Sequence, residues 1–334
     1  MLNKLRSVFP VEILEMIIQQ LPQDGIPPVL RVNSLFNAIA VRILYHAIPD
    51  LPAARSVACL RTLASNVTNA GYVHRLSIDW SGRQVIGNLL RLLQRALKQL
   101  KSLQHLSLEL SPHDNQFSLA WVFVDVPFCL RTLATSARCD TLLASFLETQ
   151  PLLHELCLRG FQTTSPFVLS HSALPRLTSF RTIHAGVPVL SQVMRGRPIE
   201  AVSVSLFAED GFAPLDTLRL SSIPLKRLTI MSLVEAQPHK LLYEIAERMP
   251  QLEALHVVVL LAHYNHQILL DFAPMLSKFT QLRYITFMAG LGASFDDEHE
   301  IAALWHQSCP TLKTIILPKG QVWFERDGHW TCCV

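Results

Sequence analysis

Charge is scarce in this chain. Only 16% of its 334 residues are Asp, Glu, Lys or Arg, while half are hydrophobic, a balance that supplies a large core and excludes extensive disorder. Neither sign dominates: Lys+Arg 29 against Asp+Glu 26 leaves +3, too small a surplus for the footprint of a nucleic-acid binder. Glycine is thin as well, 12 scattered residues with no clustered loop to cradle a phosphate. The seven cysteines are odd in number and lack any CxxC spacing, so they read as buried thiols in a reducing compartment, not a disulfide framework. Long apolar runs are missing too. The most apolar one, Val257 to Ala262, is six residues long, against the roughly 20 that a membrane-spanning helix needs. Pro10, Glu12 and Glu15 interrupt any signal-peptide core. The expectation is a soluble intracellular protein, cytoplasmic or nuclear, with no membrane or nucleic-acid partner.

What is abundant is one short apolar spelling, L-x-x-L-x-L. It recurs as Val73-Leu76-Ile78, Leu103-Leu106-Leu108, Leu130-Leu133-Thr135, Leu153-Leu156-Leu158 and Leu177-Phe180-Thr182. It continues as Ile199-Val202-Val204, Leu225-Leu228-Ile230, Leu252-Leu255-Val257, Leu282-Ile285-Phe287 and Leu312-Ile315-Leu317, at steps of 22 to 30 residues. The last two positions lie two apart, so they share one side of a short strand. Between the strands, apolar residues step by three and four. Ile86, Leu89, Leu90, Leu93, Leu97 and Leu100 predict one helix, as do Leu241, Leu242 and Ile245, then Ile268, Leu269, Phe272 and Leu276, then Ile301, Leu304 and Trp305. Pro151, Pro175, Pro250 and Pro310 are each expected to stop a helix two residues before the next strand.

A strand–helix unit of this length cannot bury its own apolar face, and stacking in parallel solves that. Residues 72–320 resemble an irregular leucine-rich repeat array without the asparagine ladder of the strict consensus. The resemblance implies an α/β fold, a horseshoe solenoid with the third, fifth and seventh repeat positions on its concave face. Those positions hold Arg75, Ser77, Asp79, His105, Ser107 and Glu109 in the first two strands, then Arg159, Arg181 and Arg227 in the middle. The last strands bring Met231, His256, Val258, Tyr284, Met288 and Ile316. Arg227, His256, Val258, Tyr284 and Met288 are the candidate target-binding residues, since apolar side chains clustered on one surface mark an interaction site. Residues 321–334 leave two alternatives. Either Trp323, Phe324 or Trp330 folds over those strands as a cap, or the patch stays open.

Residues 8–48 do not carry the repeat, and 49–71 read as a connecting helical segment. The opening Phe9-Pro10-Val11-Glu12-Ile13 starts a helix with Ile13, Ile17 and Leu21 on one face, ended by Pro22. A short helix from Pro27 to Val32 and a third from Ser34, as N-cap, to Tyr45 follow. So small a bundle cannot enclose its apolar residues, and a partner is the natural cover. This stretch resembles an F-box, whose hydrophobic-Pro-x-Glu-Ile opening it spells, with further matches at Ile17, Leu21, Leu30, Val32, Phe36 and Leu44-Tyr45. Phe9 stands at the family's leucine, and Asn33 at its small or cysteine position. F-box and repeats together imply the substrate receptor of a Skp–cullin–F-box ubiquitin ligase. The F-box would dock on a Skp-family adaptor, and through it a cullin, by Pro10, Ile13, Ile17, Leu21, Val32 and Phe36. The repeats would hold a protein target. A repeat scaffold acting outside any ubiquitin ligase is the alternative.

No residue set asks for chemistry, so no enzyme activity, metal or cofactor is expected. Glu12 and Glu15 share a helix face and read as solvated. His256, His263 and His266 lack the spacing of a zinc site. Asp296, Asp297, Glu298 and Glu300 read as first-turn acids complementing a helix dipole. Trp330-Thr331-Cys332-Cys333-Val334 is not a prenylation box and reads as an exposed tail, its cysteines the most open to oxidation.

Overall fold

The computed structural model describes residues 9–82, 87–110, 118–232, 238–259, 264–289, 298–318, 320–326 and 329–333. Among them the chain is α/β, with thirteen strands paired mostly in parallel. It forms two compact units, residues 1–136 and 137–334. The first holds β1 (Ala47–Ile48), β2 (Arg75–Asp79), β3 (His105–Glu109) and β4 (Thr132–Thr135), parallel and adjacent in chain order. The second holds β5 (Glu155–Leu158), β6 (Ser179–Thr182), β7 (Ala201–Leu206), β8 (Arg227–Ser232), β9 (Ala254–Val259), β10 (Tyr284–Ala289) and β11 (Thr314–Ile316). These too are parallel and in order. A closing hairpin, β12 (Val322–Arg326) and β13 (His329–Cys333), then adds antiparallel to β11.

Every one of the ten apolar spellings forms a strand, including the two that end in threonine. Thr135 and Thr182 are buried like the aliphatic residues at that position. The Thr182 hydroxyl is used there, accepting from the Ala185 N–H at 3.2 Å. At the entry to each strand one backbone bond repeats: Glu200 to Thr178, Lys226 to Glu200, Glu253 to Lys226, Arg283 to Glu253 and Lys313 to Arg283, all 2.8–2.9 Å. The ladder thus starts one residue before each strand, and it holds neighbouring repeats in common register. Inward positions such as Leu228, Ile230, Leu255 and Ile285 are buried, and their sequence neighbours face outward.

Helices lie where the three-and-four periodicity places them at Gly87–Leu97, Pro238–Arg248 and Glu298–Ser308, and further helices form at Thr141–Glu148, Val187–Met194 and Ala213–Leu218. Ile86 lies outside the described residues. Two expectations fail. The helix from Ile268 to Leu276 is two short pieces, His266–Leu270 and Ala273–Leu276, because Pro274 in the first turn of the second lacks the N–H to continue the first. Nothing helical precedes Pro175. There the chain is irregular, and the buried Arg197 guanidinium organises it. Its Nε donates to Ala173 O and its Nη2 to Ser170 O, both at 2.9 Å, while Nη1 bonds Gln192 O at 2.5 Å. Glu148 accepts from the Ser170 N–H and hydroxyl at 2.5 and 2.6 Å. Long-range side chains thus satisfy the polar groups that a helix would have paired.

At the N-terminus, helices Val11–Gln19, Ile26–Val29 and Ser34–His46 pack around Leu14, Ile18, Ile26, Ile39 and Ala40. The third helix is capped by Asn33, not by Ser34: the Asn33 side chain accepts from the Phe36 N–H at 2.9 Å. The same helix runs straight into β1, which pairs with β2, so residues 8–48 end inside the strand array. Helices Ala53–Ser65 and Val67–Gly71 fill most of 49–71. No helix among the described residues is long and apolar enough to cross a membrane.

Candidate interaction surfaces

The first helix buries Leu14 and Ile18, one step behind the face that the sequence groups as Ile13, Ile17 and Leu21. Those three are left outside. Ile13 is 40% exposed, Ile17 53% and Val32 61%, and Pro10 and Leu21 are also exposed. Phe9, Val11 and Met16, which the helical-face grouping of Ile13, Ile17 and Leu21 does not single out, join them, and Phe9 and Val11 sit inside the Phe9-Pro10-Val11-Glu12-Ile13 opening. Phe36 differs, since it is half-buried against the small core. It therefore supports the bundle more than it extends the open surface. On the polar flank Glu15 meets Arg42 at 3.5 Å, and the His46 and His74 rings stack 4.5 Å apart. Burial first, then the charges of His74 and Arg75, lower the His46 pKa.

The second candidate surface is the outward face of the second unit. Strand register arranges it in rows. One row runs Arg227, Ala254, Tyr284, Thr314, Phe324, and the next runs Thr229, His256, Thr286, Ile316, Val322. A third places Met231 beside Val258 beside Met288. All five candidate target residues therefore share one face. Tyr284 is 49% exposed and Met288 43%, Arg227 is exposed, and His256 and Val258 are half-buried between them. His256 Nδ1 lies 3.0 Å from Thr286 Oγ1, and burial lowers its pKa. Arg181 sits in the His256 row, three strands away through Ser203 and Thr229.

The tail resolves its two alternatives in a third way. It does cap, but at the edge of the sheet, where β12 covers the open hydrogen-bonding groups of β11. Trp323 and Trp330 turn to the helix side. The Trp323 indole donates to the buried Glu298 carboxylate at 3.1 Å, and Trp330 meets the His306 ring. Phe324 turns outward and extends the apolar face beyond Tyr284. The expected exposed tail is thus a β-hairpin with Cys332 half-buried, and Cys129 is the exposed thiol among the described residues. Cys333's side chain lies outside them. Burial, with Asp140 adding to it, pushes the buried Cys139 thiol up to about 12.

Of the first-turn acids, Asp296 and Asp297 lie outside the described residues, while Glu298 and Glu300 do stand in the first turn of their helix. Glu298 is buried and also accepts from the Trp323 indole, and Glu300 lies 3.0 Å from His266 Nε2. His256 and His266 thus face different partners, and His263 is outside the described residues.

One feature carried no motif. Phe161, His184 and Phe207 stack in a ladder, with ring centroids 4.4 and 6.4 Å apart. The signal for it lies in the repeat register, because each follows its strand by one to three residues. Burial lowers the His184 pKa. No protein-family model matches the chain, and no curated protein sequence matches it.

Proposed function

We propose that this chain is a substrate-recognition subunit of a Skp–cullin–F-box type ubiquitin ligase, without chemistry of its own. In this reading residues 8–48 are an F-box that docks on a Skp-family adaptor, and the strand units are irregular leucine-rich repeats of a horseshoe solenoid that holds a target. The observation that carries it is the solvent-facing apolar set on the N-terminal helices, Ile13, Ile17, Leu21 and Val32, in the residues that match the F-box spelling. Exposed apolar side chains so concentrated need a partner to cover them. The parallel strand units with an open, mixed face support the second half of the reading.

The test is capture of purified Skp-type adaptor by the full chain, compared with Ile13→Asp/Ile17→Asp. Both side chains are exposed, so the double variant is expected to keep its melting temperature. It should lose the adaptor, because each carboxylate would enter a desolvated contact. Retained capture removes the F-box assignment. Failure of the intact chain to bind leaves the scaffold reading in its place.

A further inference from the structure

Resting on that reading of the repeats, the rows of the second unit define what kind of target fits. The outward face is divided. Its β8–β12 half carries Met231, Val258, Tyr284, Met288 and Phe324. Its β6–β8 half carries Arg181 and Arg227, both exposed and neither with a side-chain ion pair among the described residues. Between the two arginines, β7 contributes only Ala201, Ser203 and Ser205. These small side chains leave a low strip in which a backbone can lie between the guanidinium groups. Among outward positions of the strands from β5 to β11, Glu155 is the acidic one, and it stands on the first strand, away from the apolar half.

We infer that this face takes an extended acidic segment whose carboxylates meet Arg181 and Arg227 and whose following apolar side chains seat on Tyr284, Met288 and Phe324. Charge complementarity selects it. Guanidinium groups pair carboxylates in bidentate geometry, and a basic segment would face repulsion over half the surface. The dimensions agree. Six strand spacings of about 4.8 Å separate β6 from β12, roughly 29 Å, which an extended chain crosses in about nine residues. Methionines beside an aromatic ring accommodate varied aliphatic anchors, so the apolar half sets affinity and the arginines set the sign and direction of the segment.

The experiment pans the full chain against a displayed random library of peptides about twelve residues long, enough to cross the strip when extended. Selected sequences should carry acidic residues on one side of an apolar cluster. Their affinity should fall about tenfold or more in Arg181→Glu/Arg227→Glu, recover toward wild type in Arg181→Lys/Arg227→Lys, and weaken separately in Tyr284→Ala. Selected peptides without acidic enrichment, peptides indifferent to the charge reversal, or no selectable peptide overturn the proposal. So does a concentration-dependent dimer dissolved by the same substitutions, which would assign the face to a second copy. Adaptor capture is measured on the same preparations. Its loss in the unsubstituted chain sinks the ligase reading and leaves the acidic-segment proposal standing; peptide failure with adaptor capture intact does the reverse.

Discussion

The N-terminal helices and the strand units solve the same problem with unequal means. Three short helices close around Leu14, Ile18, Ile26, Ile39 and Ala40, and Ile13, Met16, Ile17 and Val32 are left in water. In the second unit each strand from β5 to β11 finds a parallel neighbour, and inward residues such as Leu228, Leu255 and Ile285 are buried. A helix pair shields only the stripe where the helices touch, whereas a repeat receives cover from both sides. Exposed apolar groups therefore carry different meanings. On the helices they are the surplus of an undersized core. On the strands Tyr284 and Met288 occupy positions that never belonged to the core.

The sharpest way to break this comparison is one charge on each side of it. Leu228→Asp should cost several kcal/mol and unfold neighbouring repeats, since it leaves an unpaired carboxylate in a dry layer. Thr229→Asp, one residue on at a half-buried outward position, should cost far less than Leu228→Asp, and Ile17→Asp at an exposed position should stay within about 0.5 kcal/mol of wild type. Urea midpoints measure all three. Comparable loss at Leu228 and Thr229 would mean that the inward and outward faces are exchanged.

A smaller effect is expected where repeat cover comes from a side chain instead of a helix. Arg197→Met keeps the bulk but strands the carbonyls of Ala173, Ser170 and Gln192. Each buried orphan costs about 1–3 kcal/mol before relaxation, so a loss of roughly 3 kcal/mol is expected. Faster amide exchange should be confined to residues near Ser170–Leu174. Unchanged exchange there would show that the irregular segment holds itself together.

The smallest effect is acid sensitivity. Burial lowers the pKa values of His184 and His256 in the second unit. A base with a depressed folded pKa binds fewer protons folded than unfolded, so its contribution to stability is full above the unfolded pKa, about 6.5, and declines as pH falls through the folded one. The melting temperature should drop modestly on acidification below that point, and His256→Asn should flatten the drop. A rise in stability with acid would contradict the burial of these rings.

Much of the array is readable in the primary structure because its rule is local. A spelling with two apolar residues two apart states a strand, its buried side and its solvent side at once. That rule held even at Thr135 and Thr182, where hydrophobicity fails but small β-branched shape does not. The outward candidates Arg227, His256, Val258, Tyr284 and Met288 follow from the same parity, and the Phe9-Pro10-Val11-Glu12-Ile13 opening with Ile17 and Leu21 already holds most of the helix side chains that stay exposed. Which of them supports the bundle was not readable, for Phe36 and Ile13 look alike until the third helix is docked.

Other features depend on partners distant in the chain. Pro175 reads as a helix stop, yet no helix forms, since Arg197 and Glu148 satisfy that segment's polar groups from outside it. Trp323 and Phe324 are neighbours with equal claims to a core. Pairing of β12 with β11 sends one to Glu298 and the other to the open face. Local periodicity says that two residues point opposite ways. Which way is inward for a strand with no repeat behind it depends on the edge it joins, and that edge is built by residues far away in sequence.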